Sequence, residues 1–394
     1  MDYNPRILLL DRQTEAEVAL RQIGVEEAGV AIMAPKAVYR VIKVENIPLR
    51  AAHILKQEML SLGGEAAVSR EVMALTADRS EIILMGTLKQ FRRLGEKLRH
   101  QYFGLPRLAE ELAALLGHLE ARSVRVLDCR GRQLVLGERT LVMGILNVTP
   151  DSFSDGGLYL EPDRAVARAR EMVAEGADII DVGAVSTRPG HTPVSAEEEW
   201  RRLAPVLSRL VEAVEVPVSV DTWRAATAEA ALALGAHLIN DQWGLQADPD
   251  LARVAARYGA PVVLMHNQEH RQYRDLMGDI LRFLRRSVAI AEENGIPREK
   301  LIVDPGIGFG KDTEQNLEVL HRLGELRSLG LPILLGTSRK SVIGNTLGLP
   351  VEERLEGTAA TVALGIASGA DIIRVHDVKA MVRVARMADA VVRR

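Results

Sequence analysis

The sequence predicts an α/β protein: a (β/α)8 TIM barrel preceded by a small α/β N-terminal domain. Two observations carry this. From about Leu141 onward, short runs of Val, Ile and Leu alternate eight times with segments of helical periodicity, over roughly the 250 residues that a closed barrel needs. The 394-residue chain is also too long for one compact core, which leaves some 120 residues for a smaller unit. We place the boundary between residues 1–120 and 121–394.

In the first unit, Ile7 to Leu10 and Glu81 to Met85 read as strands, and 48–62, 87–101 and 106–118 as helices. Lys89, Arg92, Arg93, Lys97 and Arg99 read as one solvated helix face, and no chemical constellation stands out there. Next, Val124 to Leu127 and Gln133 to Leu136 flank Asp128-Cys129-Arg130-Gly131-Arg132, a hairpin placed to close the bottom of the barrel. The eight apolar runs are 141–146, 178–182, 217–220, 237–240, 261–264, 301–303, 332–335 and 371–375. Their near-continuous hydrophobicity suits parallel strands covered by helices. Ser195 with Glu198 forms a capping box ahead of the stripe Leu203, Val206, Leu207, Leu210, Val211 and Val214. Asp248-Pro249 reads as an N-cap and first helical position, and Gly176, Gly235 and Gly369 as helix stops. An open doubly wound sheet would carry a Gly-rich dinucleotide turn after its first strand, and none is present.

Composition narrows the function. A net charge of -3 gives no electrostatic footprint for nucleic acid or an anionic membrane. No apolar run approaches the roughly 20 residues of a membrane helix, and the charged N-terminus does not resemble a signal peptide. Cys129, the single cysteine, suits a reducing cytoplasm.

A barrel of this kind works at the C-terminal ends of its strands. The runs lead in order to Asn147, Ser186-Thr187-Arg188, Asp221, Asn240-Asp241, Met265-His266-Asn267, Asp304, Ser338-Arg339-Lys340, and Arg374 with His376. Any one of these could be a helix cap, but eight converging on one mouth are not explained by capping. Arg188, Arg339, Lys340, Arg374 and His376 offer donors to phosphate or carboxylate oxygens, while Asp221, Asp304, Asn240 and Asn267 offer acceptors and amide edges. The set suits a flat heterocycle with amino and ring N–H groups joined to an anion. Glycines at 156, 157, 190, 306, 308 and 310 mark mobile or tightly turned loops around it. Gly308-Phe309-Gly310-Lys311 is not a P-loop, because Pro305 and Asp312 stand where Gly and Ser or Thr are required. His266 and His376 lack zinc-hydrolase spacing, and no Gly-x-Ser-x-Gly elbow exists.

These segments resemble the dihydropteroate synthases. Met143-Gly-Ile-Leu-Asn-Val-Thr-Pro-Asp-Ser-Phe-Ser-Asp-Gly-Gly157 is similar to the family's first signature and Asp181-Val-Gly-Ala-Val-Ser-Thr-Arg-Pro-Gly190 to its second. Asp304-Pro-Gly-Ile-Gly-Phe-Gly-Lys311, Gly336-Thr-Ser-Arg-Lys340 and Arg374-Val-His376 match further segments, so the resemblance spans roughly 123–394. The resemblance implies condensation of 6-hydroxymethyl-7,8-dihydropterin pyrophosphate with 4-aminobenzoate. It implies Asp304 and Asn240 at the pterin edge, Asp221 and Lys340 also at the ring, and Met265 against its face. Arg374, His376 and Asn147 would hold pyrophosphate, with Asn147 helping to place Mg²⁺. Phe153, Thr187, Arg188, Pro189 and Ser341 would shape the 4-aminobenzoate pocket, and Phe309 is a further substrate contact. Asp221, Lys340, Arg374 and His376 are the expected catalytic set. Loops 151–160 and 186–194 would close over the substrates. A homodimer is also implied. Val185 replaces a Glu usual in the family; if that Glu only orients its loop, activity survives. A pterin-dependent methyltransferase would share the Asp and Asn positions without needing the anion-binding set. A non-catalytic pterin sensor would have lost catalytic positions.

Overall fold

The computed structural model describes residues 3–74, 76–120, 124–148, 161–184 and 194–393. The chain divides into two compact units, Met1–Arg122 and Ser123–Arg394.

The first unit contains α1 (Gln13–Gln22), α2 (Glu27–Ala37), β1 (Tyr39–Pro48), α3 (Leu49–Ser61), β2 (Glu65–Val68), α4 (Arg70–Ala74), β3 (Arg79–Thr87), α5 (Leu88–Leu98) and α6 (Leu105–Glu120). Its antiparallel sheet has the order β1-β3-β2. The amphipathic helix α5 buries Leu88, Phe91, Leu94 and Leu98, while Arg92, Arg93, Lys97 and Arg99 face solvent. Ile7 to Leu10 is not a strand. The segment pairs with no strand, and Ile7, Leu8 and Leu9 face water. Sequence periodicity missed β1, because a bulge between Val44 and Ile47, with Asn46 at φ +56°, shifts its alternation out of phase midway.

In the second unit, β4 (Arg125–Cys129) and β5 (Arg132–Leu136) form the hairpin. Its turn is only Arg130-Gly131, narrower than the five residues read from sequence. Both carry positive φ, +53° and +94°, as a two-residue turn that follows strand twist requires. The Arg130 guanidinium secures that geometry by donating to the carbonyls of Leu232 and Ala236. Leu127, Cys129, Leu134 and Leu136 pack against the starts of the barrel strands, at Leu141, Met143, Ile179, Leu238, Val263, Ile302, Leu334 and Ile372. The hairpin is therefore the floor of the barrel.

The barrel strands are β6 (Leu141–Asn147), β7 (Ile179–Gly183), β8 (Val218–Asp221), β9 (Leu238–Asp241), β10 (Val262–Met265), β11 (Leu301–Asp304), β12 (Leu334–Leu335) and β13 (Ile372–Val375). Each lies within a residue or two of its predicted run. All pair in parallel in the order β11-β10-β9-β8-β7-β6-β13-β12, and a single Val303–Ile333 bridge joins the ends. Outer helices are α7 (Glu161–Glu175), α8 (Ala196–Ala213), α9 (Ala225–Ala233), α10 (Leu251–Tyr258), α11 (Leu276–Glu293), α12 (Thr313–His321), α13 (Ser341–Leu347), α14 (Leu355–Ala367) and α15 (Val378–Val392). Ser195 caps α8, accepting from Glu198 N–H at 3.2 Å, while the Glu198 carboxylate is engaged by Arg201 and Arg202. The N-cap of α10 is Asp250, not Asp248. Asp248 instead accepts from the backbone N–H groups of Ala225 and Asp250, so it ties two helix starts together. Gly176, Gly235 and Gly369 each stand just past a helix with φ near the left-handed region or beyond, +108°, +105° and +107°.

Candidate active site

Strand pleating selects the side chains that reach the mouth. Ile179, Leu238, Val263, Ile302 and Ile372 point into the lumen at its floor. Residues two further along share that direction. This parity turns Asp181, Asn240, Met265, Asp304 and Arg374 inward. Asp221 joins them, since its neighbours Val218 and Val220 face the helices. Asn147 ends β6 with the parity of Met143 and is exposed. The residues that alternate with these pack outward beneath the helices.

The centre of the site is a buried charge network. Arg374 Nε donates to Asp181 Oδ2 at 2.7 Å and Arg374 Nη2 to Asp221 Oδ2 at 2.9 Å. Asp181 Oδ2 also accepts from Asn240 Nδ2 at 3.0 Å, and Asp221 Oδ1 from Gln242 Nε2 at 2.6 Å. One guanidinium thus serves two carboxylates. Burial pushes the Asp221 carboxyl up, Arg374 opposes that, and Asp181 adds to it. Gly183 makes room, because a Cβ there would lie 3.3 Å from Asp221 Cβ.

Opposite, Asp304 Oδ1 accepts from Gly306 N–H at 2.7 Å. Burial raises its pKa, opposed chiefly by Lys340. Lys340 Nζ donates to the Ile307 carbonyl and lies 4.6 Å from the Phe309 ring centroid. Burial pushes Lys340 down to about 8, with Asp304 holding it up. Lys311, the residue that completes the false P-loop, is buried behind this turn and pushed down to about 7 by burial. His376 is set by Ser338: its backbone N–H donates to Ser338 Oγ at 3.1 Å, and that oxygen lies 3.0 Å from His376 Nδ1. Ser341 is exposed at the start of α13. Arg339 is bound bidentately by Asp377 at 3.0 and 2.6 Å, so its charge is matched there.

Phe153, Thr187, Arg188 and Pro189 lie outside the described residues, as do Val185 and the loops 151–160 and 186–193. The structure therefore brings together Asp221, Asn240, Met265, Asp304, Phe309, Lys340, Arg374 and His376, with Asn147 at the rim. Sequence reading missed Asp181, which lies inside an apolar run rather than at its end. A charged residue at an inward parity in a buried strand is the signal that marks it. Gln242 was missed too and carries no such signal.

If Lys340 must be charged to bind substrate, kcat/KM falls as pH rises through about 8. The alkaline limb should move beyond the accessible range in Lys340→Arg, whose side chain stays charged. A pH profile of both proteins checks this, and an unchanged limb in the variant would assign it to another group.

An eight-stranded barrel whose mouth gathers three carboxylates, an amide, a lysine and a shared arginine belongs to the class of barrel enzymes that bind amino-heterocycles. The family model for pterin binding enzymes matches residues 143–376. Beyond that class, the chain belongs to the dihydropteroate synthase family. It is 53% identical over 264 residues to the dihydropteroate synthase of Clostridium beijerinckii, covering 67% of this chain and 98% of that one. The crystal structure of a Clostridium difficile dihydropteroate synthase in the presence of pteroic acid superposes with a TM-score of 0.65 at 53% identity, covering 66% of this chain and 99% of the other. A probable bifunctional folylpolyglutamate synthase/dihydropteroate synthase of Halobacterium salinarum is 42% identical over 388 residues, 97% of this chain and 46% of that protein. That match necessarily takes in the N-terminal unit, which the clostridial relatives do not account for.

Proposed function

We infer that this chain is a transferase of folate synthesis, joining 6-hydroxymethyl-7,8-dihydropterin pyrophosphate to 4-aminobenzoate to give 7,8-dihydropteroate and pyrophosphate. The observation that carries this is the convergence of Asp221, Asn240, Asp304, Lys340 and Arg374 on one mouth, in a chain so similar along the whole length of a dihydropteroate synthase.

The pterin presents a guanidine-like edge, and a carboxylate can accept two of its N–H groups. Asp304 and Asn240 take that edge, Asp221 lies beside it, Lys340 donates to a ring acceptor, and Met265 and Phe309 contact the ring. The arylamine lone pair attacks the exocyclic methylene. The C–O bond to pyrophosphate breaks, pyrophosphate leaves with the electron pair, and the amine loses a proton to solvent. A neutral amine needs no strong base, so catalysis consists of positioning and of stabilising the departing charge. Arg374, His376 and Asn147 supply that stabilisation. Thr187, Arg188, Pro189, Ser341 and Phe153 are assigned to the 4-aminobenzoate pocket.

Among the described residues, no group of three or more His, Cys, Asp or Glu is arranged around a metal. Asn147 offers one neutral carboxamide oxygen at the exposed rim, a donor that fits Mg²⁺ keeping most of its ligands from water and phosphate. A Mg²⁺ ion held at Asn147 would supply charge neutralisation to the leaving group.

A homodimer is supported by exposed Leu364 on α14 and exposed Met387 and Val391 on α15, two helices that pack together. Leu364→Asp is expected to shift the sedimenting mass toward the monomer; an unchanged mass would remove this face from the interface. Cytoplasmic location suits the lone buried cysteine, and cell fractionation tests it. Among the described residues no helix is long and apolar enough to cross a membrane.

The deciding experiment incubates purified protein with the pterin pyrophosphate, labelled 4-aminobenzoate and Mg²⁺, and separates dihydropteroate. Turnover that disappears in Lys340→Ala is expected. Absence of turnover with pterin binding intact would overturn the reading in favour of a pterin-dependent methyltransferase or a non-catalytic pterin sensor.

A further inference from the structure

Lys311 is almost fully buried behind the turn, where the charges of Asp304 and Lys340 act on it. Its Nζ lies 2.9 Å from His266 Nδ1, 3.0 Å from the Gly306 carbonyl and 3.0 Å from the Phe309 carbonyl. An ammonium has three N–H donors and no acceptor. As an ammonium, Lys311 thus has one partner for each N–H, and His266 then accepts through Nδ1. His266 is in turn held edge-on against Phe283, with ring centroids 4.9 Å apart.

The two carbonyls belong to the turn that shapes the pterin side of the site. Gly306 and Gly308 adopt φ of +68° and +83°. A Cβ at Gly306 would run into the His266 carbonyl, so only glycine lets the turn close on the His266–Lys311 pair. Between the carbonyls that Lys311 binds lies the Ile307 carbonyl, which accepts from Lys340. The Phe309 ring covers the same ammonium. A Cβ at Gly308 would sit 3.0 Å from Lys340 Cδ, so the turn and the Lys340 stem are in close register.

We propose that Lys311 is a positioning residue for the reaction, a buried pin that fixes the 306–309 turn so that the Ile307 carbonyl and Phe309 ring hold Lys340 in place beside Asp304. This rests on the reading of Lys340 as a substrate-binding residue given above. The energetic reason is that an ammonium removed from water keeps its charge only where every donor is matched, so the turn cannot shift without leaving a buried charge unpaired. Misplacement of a substrate-positioning group by about 1 Å is enough to cost on the order of 100-fold in rate.

The test is a double-mutant cycle on the full chain with Lys311→Met, Lys340→Met and both together, read as kcat/KM for the pterin pyrophosphate. Lys311→Met alone is expected to lower kcat/KM by about tenfold or more, mainly through the pterin KM. In the Lys340→Met background the same change should cost less than about threefold, because the group it positions is gone. Losses that simply multiply would overturn the proposal while leaving the reaction assignment untouched. Lys340→Met as active as the parent would overturn both this proposal and the role of Lys340. Should Lys311→Met fail to fold, His266→Phe removes one of the three acceptors while keeping an aromatic ring against Phe283. It should show the same dependence on Lys340, and independence from Lys340 would equally overturn the proposal.

Discussion

Asp304→Asn is expected to lower kcat/KM for the pterin substrate by about 100- to 10,000-fold with little change in unfolding midpoint. The substitution keeps the size and the inward parity at the end of β11. It replaces one acceptor oxygen by a donor that faces the N–H groups of the pterin edge, so a bond is lost and a repulsion gained. It also removes the charge that holds Lys340 protonated, and burial then lowers the Lys340 pKa further below about 8. Pterin affinity and turnover should fall together. Isothermal titration with the pterin substrate and steady-state rates check this. Intact pterin affinity would move the pterin edge elsewhere in the mouth.

Arg374→Met is the substitution with the largest combined effect. The guanidinium is the shared partner of Asp181 and Asp221, and Asp181 is wholly buried. Removing one partner of a buried ion network costs about 3–5 kcal/mol, because charge is left uncompensated. The sign of its pH dependence follows. Asp221 is already raised above its unfolded value of about 4 in the parent, and without Arg374 nothing of comparable strength opposes that rise, so the buried pair is raised further. A raised pKa gives stability that is present below the unfolded value and lost as pH rises through the folded one. The deficit against the parent should therefore be small near pH 5 and grow toward pH 8. Urea unfolding of both proteins at the two pH values measures it, and an equal deficit at both would mean the carboxylates are not coupled through Arg374. Turnover should fall by about 100- to 1,000-fold even where the variant is folded, as for loss of one electrostatic donor.

Much of the catalytic unit was legible because burial and period leave marks in a sequence. The eight Val, Ile and Leu runs fall on β6 to β13, and among the described polar residues that follow them Asn147, Asp221, Asn240, Asp304, Lys340, Arg374 and His376 lie at one mouth. The smaller unit was less legible. A bulge at Asn46 interrupts the alternation of β1, and β2 has four residues of which only Ala66 is buried, so neither announces itself. Ile7 to Leu10 misled for the opposite reason: it has strand composition but joins no sheet, and three of its four residues face water.

The sequence by itself determined the barrel, the order of its strands and the identities of the residues at their ends, since each depends on local periodicity and on where an apolar run stops. Only the tertiary structure decided how those residues share charge. Arg374 lies between Asp181 and Asp221, Arg339 is matched by Asp377, and Lys311 sits behind the turn that carries Phe309. These pairings join residues from separate strands and loops, Asp181 and Arg374 being 193 positions apart. Pairing at such separations follows from how the closed sheet brings strand ends together and from the cost of leaving any buried charge unmatched. Neither is encoded in the neighbours of a residue along the chain.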